Sequence, residues 1–398
     1  MKIGIDGLKL PRASKIGPIC SLDLANELGL AGVFFSTVLD MSPTLDPAAL
    51  RDIRAHADSL GMYLEAGLGK VNPFCSAEAP QYRAIGDGDI VAGFRRMMEA
   101  SSKIGCLELW ISMGNFKPWF PGRLAVDRFR TDVTWPEQLA ATERFLLRLA
   151  PIARDLGIHM NMETHDEITS FEIIRMIEAV GADAMGVVFD TANGLQRGEH
   201  PVFSAHRLAP FVRQTHIKDA HVAHAPGGLD FQTRGCGHGM VDFRQILPIL
   251  AAANPNLNLS IETEPSAEDR PRSSQNLRQC IEIYDPRWLE GHPDLTLVEL
   301  AAYLEAVHDY EKRIRFGEVP DWQQYETELF GYPSYEHQSF GYDQALEQIR
   351  RSTDYLTALC VDLNLPMEDA HRANRMAEAA TEPFTDISSG SLARATAS

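Results

Sequence analysis

Four short runs in the second half of the chain each end an apolar stretch on a residue able to bind a cation: Glu163 in NMETHDE, Asp190 in VVFDTAN, His216 in THIKD and Glu262 in SIETEP. Three carboxylates and one imidazole make a hard-to-borderline donor set. It suits one Mn²⁺, Mg²⁺, Co²⁺ or Zn²⁺ with positions left for substrate oxygens, manganese being the leading expectation. Singly, each residue could be a cap or a hydrogen-bonded core group. Their repetition at successive strand ends points to one shared ion. The densest run is VRQTHIKD at 212–219, which brings an imidazole, the Lys218 ammonium and the Asp219 carboxylate to the exit of one apolar strand. Polar groups bunched there are costly to bury unless each finds a partner, and a bound cation or polar substrate supplies partners.

Lys218, two residues past His216, points to the same side of the strand and suits stabilising an enolate or gripping a carboxylate. Asp219 is then its orienting partner or a loop cap. In the first half, Lys70 after EAGLG, and Trp110 and Ser112 at the fourth strand end, are candidate substrate-pocket groups, with Asn72 and Asn115 as neighbours. A structural loop role remains open for each. Cys236 and His238 in the run GCGHG belong either to a second metal site or to a flexible, substrate-facing loop; two ligands without further soft partners favour the loop.

These residues need a scaffold that collects strand ends. Short apolar runs alternate with segments of helical period, the mark of repeated βα units. Eight strands are expected, at 2–6, 32–37, 63–67, 106–112, 159–164, 185–190, 212–218 and 257–264. Helices are expected at 21–28, 47–60, 89–104, 136–156, 170–180, 201–210 and 243–252, several closed by a glycine just past the last turn. The expected fold is an α/β (β/α)₈ TIM barrel, whose C-terminal strand ends hold the active site. Long loops at 70–87, 115–135 and 220–242 would crowd that face.

The expected organisation is a barrel core at 1–265, an excursion after the eighth strand at 266–341, a closing helix at 342–366 and a flexible tail at 367–398. The excursion, with a helix at 295–313, reads as a lid or an oligomer contact, or as an outer decoration.

The quartet, the FDTAN and HIKD runs, the Gly-rich GCGHGMVDF and IETEP together resemble the xylose isomerase-like barrel superfamily, in the branch of sugar epimerases, hydroxypyruvate isomerases and inosose dehydratases. The resemblance covers roughly 2–265 and the final helix. It implies that Glu163, Asp190, His216 and Glu262 ligate one divalent ion. It also implies that Glu163 and Glu262 move protons on opposite substrate faces. His165, two past Glu163, resembles a substrate-hydroxyl partner, with a loop-buttressing role as the alternative. The form HIKD is closer to the dehydratase and hydroxypyruvate isomerase branches. The GCGHG loop departs from the usual Gly-acid-Gly form, and the excursion is unusually long. The implied activity is isomerisation or epimerisation of a small sugar, keto-sugar or keto-acid by proton abstraction next to a metal-chelated carbonyl. The alternative is a lyase working through the same enediolate.

The chain has 398 residues, 44% hydrophobic and 23% charged, enough to bury a full core. A net charge of −18 opposes binding to nucleic acid or anionic membranes, and leaves a small-molecule substrate. No apolar stretch approaches a membrane span, no signal-peptide pattern opens the chain, and six scattered cysteines without CxxC pairing read as reduced thiols. A cytoplasmic enzyme is expected, with homo-oligomerisation left open.

Overall fold

The computed structural model describes residues 1–115, 117, 120, 122–263, 266, 279–330 and 341–367, the side chains of Glu78 and Phe330 excepted. The strands are β1 (Lys2–Asp6), β2 (Gly32–Phe34), β3 (Tyr63–Lys70), β4 (Glu108–Ser112), β5 (His159–Glu163), β6 (Met185–Asp190), β7 (Val212–His216), β8 (Asp219–Ala225), β9 (Gly228–Arg234), β10 (Asn258–Ile261) and β11 (Gln279–Ile281). Eight of them form a parallel sheet in the order β10-β1-β2-β3-β4-β5-β6-β7. A bridge between Ile217 and Ile261 closes it into a barrel. There Ile217 N donates to Ser260 O at 2.8 Å and Glu262 N to Ile217 O at 2.9 Å.

Strands covered on both faces should be almost continuously apolar, and β6, MGVVFD, is buried at every position. The intervening helices carry the start and stop signals that their sequence promises. Thr134 with Glu137 and Thr169 with Glu172 form capping boxes at the helices Trp135–Leu156 and Ser170–Val180. Gly157 ends the first of these in the left-handed region, with φ 66°. The helix Tyr342–Asp362 packs against β1 and β10, at the barrel's seam. The expected tail, from 368 onward, lies outside the described residues.

The stretch expected as a long loop at 220–242 is instead mostly a hairpin. Strands β8 and β9 pair antiparallel from Asp219↔Arg234 to Ala225↔Gly228, and β11 adds to β9. The turn is Pro226-Gly227, and Gly227 has φ 94°, a conformation that glycine adopts freely. The described part of the excursion packs on the rim loops. Tyr303 OH, in the helix Leu297–Arg315, donates to Leu195 O at 2.9 Å, and Arg128 Nε donates to Gly291 O at 2.8 Å. Among the described residues, no helix is long and apolar enough to cross a membrane. None of the six cysteines is bonded to another.

Candidate active site

The C-terminal ends of β5, β6, β7 and β10 bring Glu163, Asp190, His216 and Glu262 to one point, where their ligand-type atoms all lie within 4.8 Å of one another. All four side chains are buried. It is the one such cluster of three or more His, Cys, Asp or Glu among the described residues.

Threonines next to these residues lock the strand ends in place. Thr164 Oγ1 donates to Asp190 O at 3.1 Å and Asp190 N donates back to Thr164 Oγ1 at 2.8 Å, joining the ends of β5 and β6. Thr191 makes the equivalent bond onward, its Oγ1 donating to Lys218 O at 2.6 Å while Lys218 N donates to it at 2.9 Å. The Glu-Thr and Asp-Thr pairs in METH and FDTAN are therefore clamps as well as site residues.

Within the cluster, Glu163 Oε1 is 2.8 Å from His216 Nδ1, and its Oε2 accepts from Trp110 Nε1 at 2.8 Å. Phe34 packs edge-on against the His216 ring, with centroids 4.8 Å apart. Lys218 Nζ donates to Glu262 Oε2 at 2.7 Å and lies 3.0 Å from Asp190 Oδ2. Lys9 Nζ is 3.0 Å from Glu262 Oε1. Asp190 Oδ1 accepts the N–H groups of Ala192 and Asn193, both at 2.8 Å, which fixes the carboxylate and aims Oδ2 at the cluster.

The electrostatics follow from burial against charge. Burial disfavours the imidazolium of His216, but Glu163 and Glu262 outweigh it and raise the group to about 9. Burial lifts Asp190 to about 7 despite Lys218 beside it, and raises Asp6 despite Lys9. Lys218 is itself pushed well above the ordinary lysine value, because Asp190 and Glu262 outweigh its burial.

The residues present fit a divalent ion. Asp190 Oδ2 is buried and accepts no hydrogen bond, meeting only the Lys218 ammonium at 3.0 Å, so it keeps lone pairs for a cation. His216 Nε2 also lacks a partner, so Nδ1 is the nitrogen the cluster engages. The carboxylates of Asp6, Glu163, Asp190 and Glu262 face the ammoniums of Lys9 and Lys218; four against two leaves a deficit of two positive charges, that of one divalent ion. Burial in Asp6 and Asp190, and the neighbouring carboxylates in His216, leave these groups prone to hold protons that a cation would displace.

Glu163, His216 and Glu262 of the cluster form the floor of a cavity of about 500 Å³ that Lys9, Lys70, Trp110, His165 and Lys218 also line, the size of a small polar ligand's site. His165 Nδ1 is 2.6 Å from Glu167 Oε2. Burial opposes its charge, but Glu167 prevails and raises the imidazole to about 9. Lys70 Nζ donates to Ser112 Oγ at 2.7 Å. Ser112 is fully buried behind Lys70 and does not line the cavity.

Two expectations need correction. His238 does not line this cavity: its ring lies 5.9 Å from that of Tyr325, and its loop is tied down elsewhere. Asp219 receives the N–H groups of Gly237, Gly239 and Val241 at 3.0, 2.8 and 3.0 Å, and Ser352 Oγ receives that of Cys236 at 3.1 Å. Asp219 is thus the loop cap, and the GCGHG loop is anchored rather than free. Asn72 is buried and bonded to Gln138 at 2.9 Å, a structural role. Asp6 and Lys9 are the site residues that sequence reasoning missed; their only signal is a lysine three positions beyond the aspartate that ends β1.

Comparison with known proteins gives three sequence relatives. Protein YihM of Escherichia coli (strain K12) is 31% identical over 94 residues, 24% of this chain and 29% of that one. The 3-oxo-isoapionate decarboxylase of Pectobacterium atrosepticum is 24% identical over 250 residues, 62% of this chain and 78% of that one. The inosose dehydratase of Geobacillus kaustophilus is 28% identical over 191 residues, 43% of this chain and 60% of that one. In two of the three, the match thus spans less than two thirds of the relative's length. Among solved structures, the D-psicose 3-epimerase of Clostridium cellulolyticum shares the fold with a TM-score of 0.53 at 13% identity, over 78% of this chain and 99% of that one. Two of the three relatives are thus named as a decarboxylase and a dehydratase, and the structural neighbour as an epimerase. Residues 22–282 of this chain match the family model described as xylose isomerase-like TIM barrel, and the chain belongs to that family.

Proposed function

We propose that Glu163, Asp190, His216 and Glu262 hold one divalent ion, manganese first, and that the enzyme takes a small keto-sugar or keto-acid through an enolate. The observation that carries this reading is the convergence of four buried ligand-type side chains, three of which, Glu163, His216 and Glu262, line a polar cavity. When bound, the ion supplies Lewis-acid polarisation of a carbonyl at that floor.

The chain's own groups divide the remaining work. Glu163, held by the Trp110 indole, is positioned to take the proton next to the carbonyl. Lys218 sets an ammonium where negative charge develops on oxygen. His165, oriented by Glu167, can give a proton to a departing or recovering group. Glu262 has an ammonium on each oxygen, Lys9 on one and Lys218 on the other, which blunts it as a second base.

That last feature favours a lyase outcome with the proton chemistry on one face: an enolate formed by proton removal expels a hydroxyl as water, or departure of carbon dioxide itself leaves the enolate, which then takes a proton. Similarity to a decarboxylase and a dehydratase supports it. The second reading is isomerisation or epimerisation, with Glu262 returning the proton on the opposite face; it is favoured by both glutamates reaching the same centre. Gln279 of β11 and Phe231 of β9 line the cavity, which supports the 266–341 excursion as part of its cover. The six unbonded thiols support a reducing, cytoplasmic setting.

The test is NMR of a panel of keto-sugars and keto-acids with the Mn²⁺-loaded protein in D₂O, following solvent deuterium and product together. Deuterium uptake with release of water or carbon dioxide is expected. Substrates of the panel turned over with no exchange and no enolate-derived product would contradict the reading.

A further inference from the structure

The cavity contains three lysines, and only two are matched. Lys9 and Lys218 each sit against site carboxylates. Lys70 Nζ instead donates to the neutral Ser112 hydroxyl at 2.7 Å and lies 5.3 Å from the Trp110 ring centroid; no carboxylate among the described residues pairs with it. An ammonium has three donors, so Ser112 leaves two for a ligand.

The backbone is built to aim this side chain. The pairing of β3 with β4 shifts register between Gly67 and Gly69, and Gly69 has φ 110°. A Cβ at Gly69 would meet the Tyr82 hydroxyl at 2.0 Å, so both the conformation and the space require glycine. Irregularities of this kind at a barrel rim redirect the following side chain, and here the one redirected is Lys70.

We infer that Lys70 is the anchor for a carboxylate on the substrate, one separate from the reacting carbon; this rests on the metal-dependent reading above. An unmatched cation lining the cavity of a chain with net charge −18 is a recognition element for an anion. The anion is singly charged. One free ammonium serves it, while Asp40 and Asp166, which also line the cavity, oppose a phosphate dianion. The carboxylate is also the distal one. Lys70 lies over the Trp110 ring, whose Nε1 reaches Glu163 at 2.8 Å, so the indole stands between the anchor and the floor where chemistry occurs. The substrate class is therefore a keto-sugar acid gripped at its far end.

The test uses the Mn²⁺-loaded full chain and three probes: D-fructose, D-fructuronate with its carboxylate at the far end, and 2-oxo-D-gluconate with its carboxylate beside the ketone. Calorimetric titration of the parent should show fructuronate binding about tenfold or more tightly than fructose, the worth of one charge-assisted hydrogen bond. In Lys70→Met and Lys70→Gln that ratio should fall close to one, and Lys70→Arg should restore much of it. Circular dichroism and metal content of each sample check folding, and the glutamine variant covers a failure of the methionine one. No preference for fructuronate in the parent, or an undiminished preference in both neutral variants, would overturn the inference. So would a preference for 2-oxo-D-gluconate that ignores Lys70, because the floor would then be reading the carboxylate. Parent protein that retains no Mn²⁺ but shows the Lys70-dependent preference would instead overturn the metal reading and leave the anchor standing.

Discussion

Lys218→Met separates the two outcomes that share an enolate. In the folded chain its ammonium lies 2.7 Å from Glu262 Oε2 and 3.0 Å from Asp190 Oδ2, with only 4% of the residue exposed. Methionine keeps most of the volume and removes the charge, so two carboxylates are left facing each other in a buried site. Breaking a buried pair in this way costs roughly 3–5 kcal/mol when nothing replaces the missing charge. A divalent ion replaces much of it, so the variant should melt close to the parent when loaded with Mn²⁺ and well below it in chelator. On catalysis, removing one donor aimed at developing charge costs on the order of 10²–10³ in kcat. The assay is NMR in D₂O, reading exchange of the proton next to the carbonyl and product formation from the same sample. If Lys218 protonates a leaving group, exchange survives and elimination falls by that factor. If the enzyme isomerises, exchange and product fall in parallel. Exchange, turnover and chelator sensitivity all equal to those of the parent would refute the placement of this lysine.

Asp190→Ala and His216→Ala should each abolish stoichiometric metal while leaving the circular dichroism of the parent, since both side chains end barrel strands and neither fills the core; retained metal in both, by elemental analysis, would sink the quartet. Glu163→Gln keeps the shape and an oxygen donor but removes the base, and turnover should drop on the order of 10²–10⁴-fold in steady-state kinetics. A pH-dependent effect is expected away from the site, at Glu199, which is buried and bonded to Ser170. Burial raises its carboxyl from 4.5 to about 7 against the pull of Ser170 and Arg207. The folded state thus holds a proton that the unfolded state releases between those values, and the parent loses stability as pH rises from 4.5 to about 7. The stability of Glu199→Gln relative to the parent should therefore climb across that window, by up to roughly 3 kcal/mol. Urea melts at fixed pH steps would show it, and a flat or falling difference would contradict it.

The barrel was legible because its strands are short apolar runs and its helices carry their own caps: Thr134 and Thr169 at the starts, Gly157 at an end. The convergence of Glu163, Asp190, His216 and Glu262 was legible because each closes such a run, and parallel strands put their ends on one rim. What could not be read is what pairs across distance. The hairpin of β8 and β9 hides in a stretch rich in glycine and histidine, and its third strand, β11, follows some forty residues after β9. Lys9 sits in a short turn with no periodicity, and only the closing of β10 against β1 brings Glu262 to it. His238 was misplaced because the sequence shows a glycine-rich loop but not the Asp219 carboxylate that fastens it.

The proposed function requires one divalent ion in this quartet to drive enolisation. Titrating chelator-stripped protein with Mn²⁺, while measuring solvent-deuterium incorporation into a keto-sugar or keto-acid that the loaded enzyme labels, tests it most directly. Exchange should be absent without the ion, rise in proportion to added Mn²⁺, level off at one equivalent, and show no such rise in His216→Ala. Exchange that is undiminished by chelation, or that titrates identically in His216→Ala, would contradict it.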